Sequence, residues 1–123
     1  MKNIGFFINN TSNKKQLDIN YHNIKMIHNN FDEIYISDEN NEFSEELDNK
    51  LKNIRNKKSF IKNENINTFQ KIESIIKDIK EYNDEIETIT LILDDYIYLN
   101  NLKNYFQFVF TSSYDLISFT DST

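Results

Sequence analysis

The chain has 123 residues, a net charge of −6 and no cysteine. That length is one ordinary domain, able to bury roughly two thirds of the surface its unfolded chain exposes. The charge argues against a nucleic-acid backbone or an anionic membrane as main partner, since both need clustered Lys and Arg. The missing thiols exclude disulfides, a thiolate zinc site and a cysteine nucleophile.

Apolar residues make up 38%, below the usual ~45–50%. Ile, Leu, Phe and Tyr are nonetheless plentiful, so the shortfall lies in an Asn- and Lys-rich surface. Ala, Pro, Cys and Trp are absent and Gly occurs once, a pattern that fits coding biased toward A and T.

The first apolar run, Asn3 to Ile8, predicts a strand. Its core from Ile4 to Ile8 is too short for a signal-peptide core, and no stretch reaches the ~18 apolar residues of a membrane span. A soluble cytoplasmic protein is expected. After a polar loop from Asn9 to Lys15, the segment Gln16 to Asn29 carries Leu17, Tyr21, Ile24 and Ile27 at helical spacing. "FDEIYISD" follows as a second strand. Phe43, Leu47, Leu51 and Ile54 form one stripe of a second helix, with Ser44 as the expected N-cap. The basic run Arg55 to Lys58 is expected at the end of that helix, where cations complement the dipole.

"KSFIKN" predicts a third strand. Asn67 and Gln70 have the spacing of a capping box before a helix whose apolar face runs from Phe69 to Tyr82. "ETITLIL" is the most hydrophobic strand and is expected at the centre of the sheet. A helix from Leu99 to Phe106 and a last strand from Asp115 to Phe119 complete the series.

Strands alternating with helices of this length predict an α/β domain over residues 1–123. It has three α/β/α layers and a mostly parallel sheet of about five or six strands. In such sheets ligands sit outside the carboxyl ends of the strands. That rule marks Asn9 and Asn10, Ser37 and Asp38, Asn63 to Asn67, Asp94 and Asp95, and Thr120 to Ser122.

The single glycine excludes a dinucleotide fingerprint and a P-loop, both of which need several glycines beside phosphate. His22 and His28 lie about 240° apart around one helix and cannot chelate a metal from one face. The remaining chemistry is carboxylate and amide. Asp94 and Asp95, after the most apolar strand, either ligate a hard cation or cap the next helix. Alternation points them to opposite sides, so one faces the crevice. Asp38 or Glu39, after the second strand, stands where an acid can hold a ribose hydroxyl in doubly wound folds.

The order of these short motifs resembles the rhamnan-synthesis F-type glycosyltransferases of bacterial cell-wall and capsule pathways. "IGFFINN" opens with a strand, "FDEIYISDEN" ends a strand at Ser37, and "IKNENINTF" stands at the family's Asn-containing turn. "ITLILDDYIYLNNLKNYF" resembles its strand ending in Asn-Asp-Ser or Asn-Asp-Thr, and "YDLISFTDST" its Asp-Phe-Trp-Gly-Leu-Thr-Asp segment. The turn here lacks the family's glycine and the acid after it, and Ile117-Ser118 replaces Trp-Gly. The likeness spans nearly all of this chain but only the donor-side half of the family's domain.

The resemblance implies a Rossmann-like, GT-A-like fold binding a nucleotide-diphospho-sugar with Mg²⁺ or Mn²⁺, for transfer to a glycan acceptor. Asp95 would then be the metal ligand. Asn9, Ser37, Asn65, Asp94, Thr120 and Asp121 would line the nucleotide-sugar site. The alternative is a non-catalytic α/β interaction module or a degenerate transferase. A phosphoacceptor receiver is disfavoured, because the first strand ends in Asn9-Asn10 and no Lys follows Lys103.

Overall fold

The computed structural model describes residues 2–63, 68–82 and 85–93. They form β1 (Lys2–Ile8), α1 (Lys14–Ile27), β2 (Glu33–Glu39), α2 (Glu42–Lys50), β3 (Lys57–Asn63), α3 (Thr68–Tyr82) and β4 (Ile86–Leu93). All pairings are parallel, in the order β3-β2-β1-β4.

Side-chain alternation along the central strands divides the core in two. Phe7, Ile34 and Ile36 face Leu17, Ile24 and Ile27 of α1 and Leu47 of α2. Ile4, Phe6, Ile8 and Tyr35 face the other way, where Ile72 and Ile79 of α3 pack. The three α/β/α layers follow directly. A bulge between Lys2 and Asn3 in the β1–β4 register explains why Ile86 and Ile89 share the α3 face although their spacing is odd. The chain leaves β1 in one direction through α1 and α2, then crosses on the opposite face through α3 to reach β4. A constant crossover hand requires that change of face with the change of direction.

Four strands make up the sheet of the described residues, where about five or six were expected. The expected strand Asp115 to Phe119 and the expected helix Leu99 to Phe106 lie outside those residues. Among the described residues β4 ends the sheet, and Leu91 on it is 42% exposed; the expectation that β4 is central depends on residues outside those described.

The single glycine has a packing reason. A Cβ built on Gly5 would lie 2.6 Å from Cδ2 and 2.8 Å from Cγ of Phe31. The Phe31 ring lies flat on the backbone of β1, in the space a side chain would occupy.

Helix α1 begins two residues before the expected start. Asn13 caps it, its side chain accepting from the Gln16 N–H. For α2 the expected cap, Ser44, is corrected to Asn41, whose Oδ1 accepts from the N–H groups of Phe43 and Ser44. Asn caps as well as Ser does, and it comes first in the chain. Ser44 instead sits in the first turn, buried, with its Oγ lacking a hydrogen-bond partner. Removing an unsatisfied hydroxyl relieves a desolvation cost, whereas removing a cap exposes helix donors. Ser44→Ala is therefore expected to be neutral or stabilising, and Asn41→Ala to cost about 1 kcal/mol, measured by urea unfolding.

The helix also ends earlier than its apolar stripe. Leu51 and Ile54 stay buried, but in the turn after Lys50. Of the basic run expected at a helix end, Lys57 and Lys58 enter β3. Lys57 lies 3.3 Å from Asp48, and Lys62 bonds Glu45, tying β3, which ends the sheet among the described residues, to α2. The Lys62 ammonium holds Glu45 below the ordinary carboxylate range, and Glu45 in turn raises Lys62. Such exposed pairs add little stability. Lysines on a terminal strand do discourage pairing with another chain.

Candidate functional site

The reversal of direction between β1 and β4 makes a topological switch point, and the crevice outside the carboxyl ends of those strands is the ligand position in open α/β sheets. Ile8 pairs with Ser37 on one side and with Leu93 on the other. The loop 9–13 and the exit from β4 therefore share this edge. Asp94 and Asp95 are the next residues in the chain after Leu93.

The loop is built from side chains instead of glycine. Asp38, fully buried at the end of β2, accepts from the Thr11 N–H at 2.8 Å and the Glu39 N–H at 2.7 Å through Oδ1. Its Oδ2 accepts from the Thr11 hydroxyl at 2.5 Å. Thr11 Oγ1 in turn accepts from Asn20 Nδ2, and Asn20 Oδ1 from Gln16 Nε2, both at 2.8 Å. One chain of bonds thus links β2, the β1–α1 loop and α1. The Asn9 N–H donates to the Ser37 carbonyl at 2.8 Å and extends the ladder past β1.

The ribose-binding reading of Asp38 is corrected by this geometry. Both oxygens are engaged by the neighbouring loop and none of the residue is exposed. Asp38 fixes the loop that borders the crevice. Glu39 is half-buried and Asn10 exposed.

Of the expected site residues, the structure brings Asn9 and Ser37 together at the edge. Asn9 is 1% exposed and Ser37 is fully buried, so neither side chain is open to solvent among the described residues. Asn65, Asp94, Asp95, Thr120 and Asp121 lie outside the described residues. Sequence reasoning missed Thr11 and Asn20. The signal was available for Asn20, which falls three residues after Leu17 and four before Ile24 on an apolar stripe. An amide there is buried and needs partners.

The first turn of α1 holds Lys14 and Lys15 and no acid, although a helix N-terminus disfavours cations. Lys14 lies 3.4 Å from Glu46. Among the described residues, no group of three His, Cys, Asp or Glu side chains could hold a metal ion, and His22 and His28 form no common site. No described helix is long and apolar enough to cross a membrane.

Comparison with known proteins finds no family model that matches this chain, no similar curated protein and no similar solved structure.

Proposed function

We propose that this chain is a glycosyltransferase-like domain that binds a nucleotide-diphospho-sugar with Mg²⁺ or Mn²⁺ and serves cell-surface polysaccharide synthesis. The observation that carries the reading is the switch point. The register puts Leu93, the residue before the Asp94-Asp95 pair in the sequence, beside Ile8 at the end of β1. Lys15 at the start of α1 adds positive charge that favours a diphosphate, while Lys14 is paired with Glu46. Asp95 would hold the cation, which stabilises charge developing on the diphosphate leaving group. Asp94, Asn65, Thr120 and Asp121, with Asn9 and Ser37, would orient base and sugar.

Calorimetric titration of the chain with nucleotide-diphospho-sugars, with and without Mn²⁺, tests this. Metal-dependent binding that Asp95→Asn abolishes is the expected result. No binding by the intact chain would sink the reading.

A second reading, a non-catalytic module or degenerate transferase, is favoured by one specific observation. The β1–α1 loop has no glycine and its amide at Thr11 is already bonded to Asp38. That loop offers fewer free N–H groups to a phosphate than a glycine-rich one. On this reading Asp94→Asn and Asp95→Asn leave partner binding unchanged.

A further inference from the structure

A second concave site lies at the opposite edge of the sheet, where the strands begin. It has a volume of about 490 Å³, within the usual span of ligand pockets. The last turns of α1 and α2 and the turn before β3 enclose it. Its chemistry is carried by Tyr21, Lys25, His28, Lys50, Arg55 and Asn56. Among the described residues no Asp or Glu lines it, in a chain with 20 acids against 14 Lys and Arg.

Lysine pairing elsewhere is mixed: among the described residues Lys15, Lys52, Lys77 and Lys80 have no ion-pair partner. Lys2, Lys14, Lys57, Lys58 and Lys62 each lie within ion-pair distance of a carboxylate. Among the described residues, Lys25, Lys50 and Arg55 have no such partner. Lys25 and Lys50 both stand over the Tyr21 ring, at 6.0 and 5.3 Å from its centroid. Each ammonium thus has an aromatic contact in place of a carboxylate. The C-termini of α1 and α2 contribute roughly −0.5 charge each, which three cations outweigh.

Asn56 ties two walls of the cleft together. Asn56 Nδ2 donates to the carbonyls of His28 at 2.7 Å and Phe31 at 3.1 Å. Its Oδ1 is left to accept from His28 Nδ1 at 3.1 Å. One side chain thereby fixes the end of α1 against the turn before β3.

We infer that this cleft binds a small phosphate-bearing anion, held by Arg55, Lys50 and Lys25. A planar guanidinium beside two ammonium groups suits a phosphate oxygen set better than a single carboxylate. The cleft and the β1–β4 crevice are separate, so the inference stands whether or not the transferase reading does.

The test is an NMR titration of the whole chain at low ionic strength, with pyrophosphate in one arm and phosphoserine in the other. Saturable shifts centred on Tyr21, His28 and Asn56 are expected. Arg55→Gln and Lys50→Gln are surface changes that leave the fold intact, and each is expected to weaken binding roughly tenfold. Tighter binding of pyrophosphate identifies a free diphosphate as the ligand; tighter phosphoserine binding identifies a phosphomonoester. Non-saturating shifts spread over all lysines, or affinity unchanged in Arg55→Gln, would overturn the inference.

Discussion

Asp38→Ala is expected to destabilise the protein by about 3–5 kcal/mol. The carboxylate is fully buried and accepts three hydrogen bonds, from two amides and the Thr11 hydroxyl. Truncation orphans all three donors in a space too enclosed for free hydration. The isosteric Asp38→Asn keeps the amide bonds at Oδ1 but turns Oδ2 into a donor facing Thr11 Oγ1. That oxygen already accepts from Asn20, so its own hydrogen loses its acceptor. About 2–3 kcal/mol is expected for Asn, less than for Ala. Urea unfolding of both variants checks the order. If Asp38→Ala costs less than 1 kcal/mol, the network is not what fixes the loop. A double-mutant cycle with Thr11→Val should show strong non-additivity, because the two residues share one bond network.

The second large effect concerns Gly5. In most strands replacing Gly by Ala gains about 0.5–1 kcal/mol, because Gly has the most freedom to lose on folding. Here the sign reverses. The new methyl would sit 2.6 Å from the Phe31 ring, well inside van der Waals contact, and the ring is 5% exposed with little room to retreat. Overpacking of this kind costs about 1–3 kcal/mol for Ala and more for Val. The cost should shrink in a Phe31→Leu background, where the flat ring no longer covers β1. Thermal unfolding of the single and double variants measures the coupling. A stabilising Gly5→Ala would contradict the packing account.

Much of the fold was legible in the sequence because the core is patterned by simple periods. Ile4, Phe6 and Ile8 against Phe7, and Tyr35 against Ile34 and Ile36, are alternating residues of strands buried on both faces. Leu17, Ile24 and Ile27 keep helical spacing and face the sheet as expected. Strand order was not legible. The position of β4 depends on which way the α3 crossover runs, a tertiary choice that hydrophobicity does not encode. Helix ends were misjudged where several polar residues compete. Asn41 and Ser44 are both good caps, and only the backbone conformation at Asn41 selects it.

The candidate site was legible in outline for a different reason. The rule that ligands sit at strand carboxyl ends needs only the strand ends, and those are the best-marked points of this chain. It found Asn9, Ser37 and Asp38 at one edge. It could not separate an acid that faces a ligand from one that faces its own loop. That distinction depends on Thr11 and Asn20, whose partners are distant in sequence or set by the turn between them. The basic cleft was equally hidden, because Lys25, Lys50 and Arg55 come from three separate segments.

The central claim is that the crevice at the carboxyl ends of β1 and β4 is a metal-assisted nucleotide-sugar site. Mn²⁺ is paramagnetic and broadens the amide signals of nearby residues, so it reports its own position. Titrating the chain with Mn²⁺ in the presence of a nucleotide-diphospho-sugar, and mapping the broadening residue by residue, tests the claim most directly. The account predicts broadening centred on Asn9, Asn10, Asp94 and Asp95, dependent on the nucleotide-sugar and lost in Asp95→Asn. Broadening centred on any other surface, or unchanged by the nucleotide-sugar, would contradict it.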